Sequence, residues 1–247
     1  MRLEKSEISL IGARETNQDR VATVATEQSM LGVVCDGMGG HSDGERAAAI
    51  AEQTLSDRFR ETAKPLLDPL GFLHLGLGAA HQRVVIHGIT TPVETRPRAT
   101  CAACIVQDGS AYWGHVGDSR IYLLRAGRIV QRTRDHSHVE LLLREGLIEV
   151  EEMQGHPMRN YVESCIGGEA LLPEMTIGQR VPLRTGDVLL LCTDGLWGNL
   201  SDDDLATAFV ASEATLNEVL NALGERAVRA GGASSDNTSA VAIRVLG

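Results

Sequence analysis

The sequence predicts an α+β fold built on antiparallel sheets, and three observations carry that prediction. Helical periodicities fall into two pairs, one over roughly residues 42–84 and one over roughly residues 200–231. Apolar, strand-like runs cluster between them. Two-residue turn signals, Asp108-Gly109 and Ala126-Gly127, join neighbouring runs, and a connection that short forces antiparallel pairing. The order lacks the regular strand–helix alternation of a parallel, doubly wound sheet.

Each element follows from local pattern. Ser6 to Gly12 and Val21 to Thr26 read as short strands, and Met30 to Cys35 is a continuous apolar run that stops at Asp36-Gly37. Ser42-Asp-Gly-Glu45 has the form of a capping box. It opens a helix with Ala47, Ala51, Leu55 and Phe59 on one face. Asp68-Pro69 pairs an N-cap with proline at the first helical position, and Leu70, Leu73, Leu77, Ala80 and Val84 form the apolar stripe of that second helix. Gly88 to Pro97 holds Gly, three Thr and two Pro and reads as a loop. Strands are expected over Thr100–Val106, Ala111–Val116, Arg120–Leu124 and Arg128–Gln131. From Arg132 to Pro173 only a short helix, Ser137–Leu147, stands out. Val188–Cys192 is a buried strand ending in Thr193-Asp194-Gly195. Ser201 with Asp204, and Thr215 with Glu218, start two more helices, Gly231-Gly232 stops the second, and Thr238–Leu246 closes the chain.

Composition narrows the function classes. The 247 residues carry a net charge of −10, are 43% hydrophobic and only 3% aromatic. That suits an ordinary soluble domain with an aliphatic core, expected to be a single unit over residues 1–247. The acidic balance argues against binding nucleic acid. No apolar run reaches membrane-spanning length, and the N-terminus has no signal-peptide core, which gives an expectation of a cytoplasmic protein. The five cysteines, Cys35, Cys101, Cys104, Cys165 and Cys192, are read as free thiols, and the lone Cys101-Ala-Ala-Cys104 as buried strand rather than a metal or redox motif.

The chemistry sits in acidic residues at strand ends. Asp36, Asp118 and Asp194 follow apolar strands, and Asp236 precedes the last one. In a two-sheet fold such ends gather at one edge, where four carboxylates repel one another unless a cation neutralises them. Oxygen ligands without clustered histidine or thiolate suit Mg²⁺ or Mn²⁺. Glycine after Asp36 and Asp194 allows a tight turn and leaves a carbonyl free to coordinate. Any single Asp-Gly after a strand is ordinarily just a turn, and Asp108-Gly109 is read as one.

Arg14-xxx-Gln18-Asp19, Asp36-Gly37-Met38-Gly39-Gly40, Gly117-Asp118-Ser119-Arg120, Thr193-Asp194-Gly195-Leu196-Trp197 and Asp236-Asn237 occur in an order that resembles the metal-dependent protein phosphatase 2C family in its compact bacterial form. The resemblance spans Ile11 to Val245. It implies a four-layer αββα sandwich, two stacked antiparallel sheets with a helix pair on each outer face. It also implies hydrolysis of phosphoserine and phosphothreonine in proteins by direct attack of a hydroxide bridging two Mn²⁺ or Mg²⁺ ions. By match of motif, Asp36 bridges both ions, the Gly37 carbonyl binds one, and Asp194 and Asp236 hold the other. Asp118, with Asp194 shared, matches the site of a third, weaker ion. Asp19 and Asn237 fall behind these ligands. Arg14, Asp36 and Asp118 become the catalytic residues, with the Arg14 fork holding phosphate oxygens.

Two departures matter. Where many eukaryotic members have a histidine two residues after the bridging aspartate, this chain has Met38, which cannot protonate a leaving alkoxide; His41 lies close in sequence. Residues 132–173, opening with Arg134-Asp135-His136-Ser137-His138, fall where the family has a mobile flap, and substrate-side or structural roles are expected there. The implied partners are phosphorylated proteins, a serine/threonine kinase or its substrate among them, met by a monomer. The competing readings are a phosphohydrolase of another phosphomonoester and a catalytically weak relative that only binds phosphoproteins. The intact aspartate set speaks against the latter.

Overall fold

The computed structural model describes all residues except 39–41, 154 and 211–213. Nine principal strands run β1 (Arg2–Leu10), β2 (Arg20–Ala25), β3 (Ser29–Cys35), β4 (Cys101–Gln107), β5 (Ser110–Val116), β6 (Arg120–Arg125), β7 (Arg128–Arg132), β8 (Val188–Cys192) and β9 (Thr238–Leu246). One sheet has the order β1-β9-β8-β6-β7 and the other β5-β4-β3-β2, with every pairing antiparallel. Two-residue strands at Thr176–Ile177 and Val181–Pro182 extend the second sheet along β5.

Period-two alternation builds the layers. In β4, Cys101, Ala103 and Ile105 face α1 (Ser42–Glu61) and α2 (Pro69–His87), whereas Ala102, Cys104 and Val106 face the other sheet. Cys101 and Cys104 therefore lie on opposite faces of one strand, each buried in a different core layer, so the two thiols do not face a common ligand. In β8, Leu189 and Leu191 point between the sheets, and Val188, Leu190 and Cys192 point toward the second helical layer. That layer contains α5 (Asp194–Trp197), α6 (Asp202–Ala208) and α7 (Leu216–Gly231). Two helices of the 132–173 segment, α3 (His138–Arg144) and α4 (Val150–Met153), stand outside the layers. The result is the four-layer αββα sandwich.

The helix signals operate as physical caps. Asp68 accepts from the Gly71 N–H at 2.9 Å ahead of Pro69. Ser201 with Asp204 and Thr215 with Glu218 each form a reciprocal capping box. Ala47, Ala51, Leu55 and Phe59 are fully buried. The Ser42 cap itself lies outside the described side chains. Two sequence expectations shift. Leu70 is only half-buried, and Phe72 takes its place in the core, edge-on to Phe59 at 5.9 Å. β1 starts at Arg2 rather than Ser6, because it pairs with β9 along all its length, from Arg2 opposite Leu246 to Leu10 opposite Thr238. The partner strand, not β1's own charged sequence, sets that boundary.

Candidate active site

The strand ends do converge. Asp36 leaves β3, Asp118 sits in the β5–β6 connection, Asp194 opens α5 directly after β8, and Asp236 precedes β9. All four line one cleft of about 590 Å³, together with Arg14, Gly37 and Asn237. Asp19 lies beneath it and is 2% exposed.

Local backbone chemistry sets each position. The Asp36 N–H donates to Thr100 Oγ1 at 3.2 Å, and the Asp36 carbonyl accepts from the Thr100 N–H at 2.8 Å. Thr100 Oγ1 also meets Ser119 Oγ at 2.6 Å, linking the Asp36 and Asp118 loops. Gly37 is required by crowding, since a Cβ there would run into the Gly44 carbonyl of α1. Gly195 is likewise pressed against the Asn237 carbonyl. Asn237 staples the loop that carries Arg14. Its Oδ1 accepts from the Gln18 N–H at 2.8 Å, and its Nδ2 donates to the carbonyls of Ile11 and Thr16 at 2.9 and 3.0 Å. Arg14 Nη2 reaches Asp236 Oδ2 at 2.6 Å, and both side chains are substantially exposed.

Electrostatics mark the cleft as short of positive charge. Burial, then repulsion from Asp19, Asp194, Asp118 and Asp236, holds Asp36 well above the usual carboxyl range. Burial and Asp194 do the same to Asp118, against the pull of Arg120. Asp194 is pushed up to about 6, by burial first and Asp236 second. Asp19 is pushed up to about 7 by burial, although Ser239 and Thr193 hydrogen-bond to it. Asp19 Oδ2 accepts from Thr193 Oγ1 at 3.0 Å, while its Oδ1 is buried without a hydrogen-bond partner.

This donor set fits hard divalent cations. Carboxylates and the Gly37 carbonyl are available, and the described residues lining the cleft include no thiol or imidazole. The orphaned Asp19 oxygen suits an acceptor of bonds from coordinated water. Among the described residues, no three Asp, Glu, His or Cys side chains are already gathered as a finished ligand set. The carboxylates ring the cleft, and Arg14 lies against one of them.

Met38 lines the cleft and brings no proton donor; His41 lies outside the described residues. His136 and His138 do not form a pair. His138 Nδ1 contacts Glu163 at 2.6 Å, and His136 bonds Thr176 and the Gly117 amide. Sequence reasoning gave no role to Thr100, the first residue of a predicted strand, or to Ser119, quoted only as part of a motif. It also assigned nothing to the stack in which the Arg120 guanidinium lies 3.4 Å over the Trp197 ring and grips Asp135 through two bonds of 2.8 and 2.7 Å. Asn160 and Val162 bring the 132–173 segment to the cleft's rim.

Comparison with known proteins agrees with this geometry. The family model described as protein phosphatase 2C matches residues 9–231. The serine/threonine protein phosphatase PstP of Mycobacterium tuberculosis (strain ATCC 25618 / H37Rv) is 32% identical over 233 residues, covering 94% of this chain and 43% of that protein. The chain thus spans less than half the length of that relative. A Streptococcus agalactiae serine/threonine phosphatase structure superposes with a TM-score of 0.90 at 29% identity, covering 99% of this chain and 100% of the other. The catalytic domain of PstP in complex with two manganese ions gives a TM-score of 0.82 at 30% identity, covering 99% of each chain.

Proposed function

We propose, from the premise that this chain belongs to the protein phosphatase 2C family, that it hydrolyses phosphoserine and phosphothreonine in proteins with the help of two Mn²⁺ or Mg²⁺ ions. The observation that carries this reading is the delivery of four carboxylates, from four separate strand ends, to one cleft that Arg14 also lines. Asp36 and the Gly37 carbonyl would hold one ion, Asp36, Asp194 and Asp236 the other, and Asp118 with Asp194 a third, weaker one. Bound there, the ions supply an ionised water for in-line attack on phosphorus and neutralise the phosphate's charge.

The chain's own residues do the rest. Arg14 has to leave Asp236 to hold two phosphate oxygens, and its planar fork matches that task. Asp19 orders solvent from below. Asn237 keeps the Arg14 loop in register with Asp236. Met38 leaves the alcohol's proton to come from solvent in the cleft. Residues 132–173 form the substrate-side flap of a single domain. Phosphoesters of this class are made by serine/threonine kinases, so the chain's role is to reverse one, as a monomer in the cytoplasm. No helix among the described residues is long and apolar enough to cross a membrane.

The test is Mn²⁺-dependent phosphate release from a phosphothreonine peptide, with a chelator arm and a phosphotyrosine peptide as controls. Release that needs Mn²⁺ and favours phosphothreonine supports the reading. Release unaffected by chelation, or greater from phosphotyrosine, overturns it.

A further inference from the structure

The turn that carries Asp118 is held from behind by one residue of the 132–173 segment. The His136 N–H donates to the Gly117 carbonyl at 2.9 Å, and His136 Nδ1 accepts from the Gly117 N–H at 3.2 Å. A ring nitrogen that accepts has its lone pair free, so this imidazole is the Nε2–H tautomer. Its Nε2 donates to Thr176 Oγ1 at 2.8 Å. The ring stacks on buried His115, centroids 4.6 Å apart and planes 18° from parallel, which blocks rotation about the side chain.

The grip extends in two directions. The preceding residue, Asp135, is locked to Arg120, and Trp197 beneath that guanidinium donates from Nε1 to the Asp118 carbonyl at 3.1 Å. On the other side the His136 carbonyl accepts from the Glu163 N–H at 2.8 Å, one residue beyond the Val162 that reaches the cleft.

We propose that His136 is a positioning residue, whose Nδ1 lone pair fixes the Gly117-Asp118 turn and couples the aim of the Asp118 carboxylate to the 160–163 segment. The proposal rests on the reading of Asp118 as a cation ligand. It goes beyond that reading by assigning the coupling to one nitrogen of one ring.

Two substitutions separate the acceptor from the ring. His136→Phe keeps the stack and removes the acceptor, while His136→Asn keeps an acceptor near the δ position and removes the stack. Three measurements apply: long-range ¹H–¹⁵N correlation of the metal-free wild-type protein, calorimetric titration with Mn²⁺, and kcat and KM on a phosphothreonine peptide. The expected results are an Nε2–H tautomer for His136, and in His136→Phe unchanged tight Mn²⁺ binding, an unchanged KM and a kcat about 10–100-fold lower, the range seen when residues behind metal ligands are lost. His136→Asn recovers most of that kcat. An Nδ1–H tautomer, full activity in His136→Phe, or equal losses in both variants overturns the proposal. The tautomer measurement decides even where a variant fails to fold. If the Asp118 reading itself is wrong, Asp118→Ala leaves the Mn²⁺ dependence and kcat unchanged while the His136 tautomer stays as assigned.

Discussion

The same dipeptide ends three strands of this molecule and meets two fates. At Asp108-Gly109 the next strand follows at once, both residues adopt positive φ (50° and 69°), and the carboxylate stays in water. At Asp36-Gly37 and Asp194-Gly195 the chain instead moves on toward a helical layer, the glycine is pressed against another backbone, and the carboxylate is drawn into a cleft with three others. The difference teaches that Asp-Gly does not encode one local structure: it is a hairpin turn at residues 108–109, extended backbone paired with Ala99 at Gly37, and the start of a helix at residues 194–195. Topology is what gathers the last two carboxylates, by bringing their strand ends to one edge and leaving their charges uncompensated.

The largest expected effect breaks the comparison directly. Asp36→Asn lowers Mn²⁺-dependent phosphate release by at least about 10³-fold, as losing a central electrostatic element does. Asp108→Asn leaves release within about twofold and stability within about 0.5 kcal/mol, since Asn-Gly suits the same hairpin turn. Comparable losses in the two variants would sink the distinction. Arg14→Ala follows, with KM for the phosphopeptide expected to rise about tenfold from the loss of a charge-assisted fork worth about 1.5–3 kcal/mol. Unchanged KM and kcat would remove Arg14 from the site.

The third effect is on stability. Folded Asp19 and Asp194 titrate at about 7 and about 6, above the ordinary carboxyl value of 3.8. Raised folded values mean that the folded state keeps protons the unfolded chain has lost, so stability present at low pH is lost as pH climbs through this window. Metal-free protein should therefore show a melting temperature that falls between about pH 4 and pH 7. Asp236→Asn, by removing the charge that raises both groups, should flatten that fall, and Mn²⁺ added to the wild-type protein at pH 7 should reverse it. A wild-type slope identical to that of Asp236→Asn in thermal melts would contradict the crowding argument. The smallest effect concerns Ala126, which holds φ 47° in the second hairpin without the freedom that Asp108 has. Ala126→Asn should stabilise by about 0.5–1 kcal/mol in urea unfolding and leave activity alone.

Much of the architecture is legible locally because its causes are local. Caps at Asp68, Ser201 and Thr215, the two hairpin turns, and the alternation along β4 and β8 all act within a few residues. The candidate site is legible as an ordered set of motifs, and the cleft gathers Arg14, Asp36, Gly37, Asp118, Asp194, Asp236 and Asn237. What the sequence hides are contacts between distant segments. Thr100 gives no sign that it ties Asp36 to Ser119, because its partners lie 64 and 19 residues away. His136 looks like half of a surface HxH until the fold brings Gly117 against it. The true start of β1 is set by β9, at the far end of the chain.

That last pairing has a consequence for biosynthesis. Arg14 and Asp236 face each other across 222 residues of chain, carried by segments that adjoin the two strands of one antiparallel ladder. A polypeptide emerging from the ribosome can form its hairpins and its first helical layer early, since their contacts are short-range. It cannot draw Arg14 up to Asp236 until β9 has been translated. On the proposed reading, the cleft therefore stays incomplete while the chain is being made, and Arg14 meets Asp236 only when β9 docks.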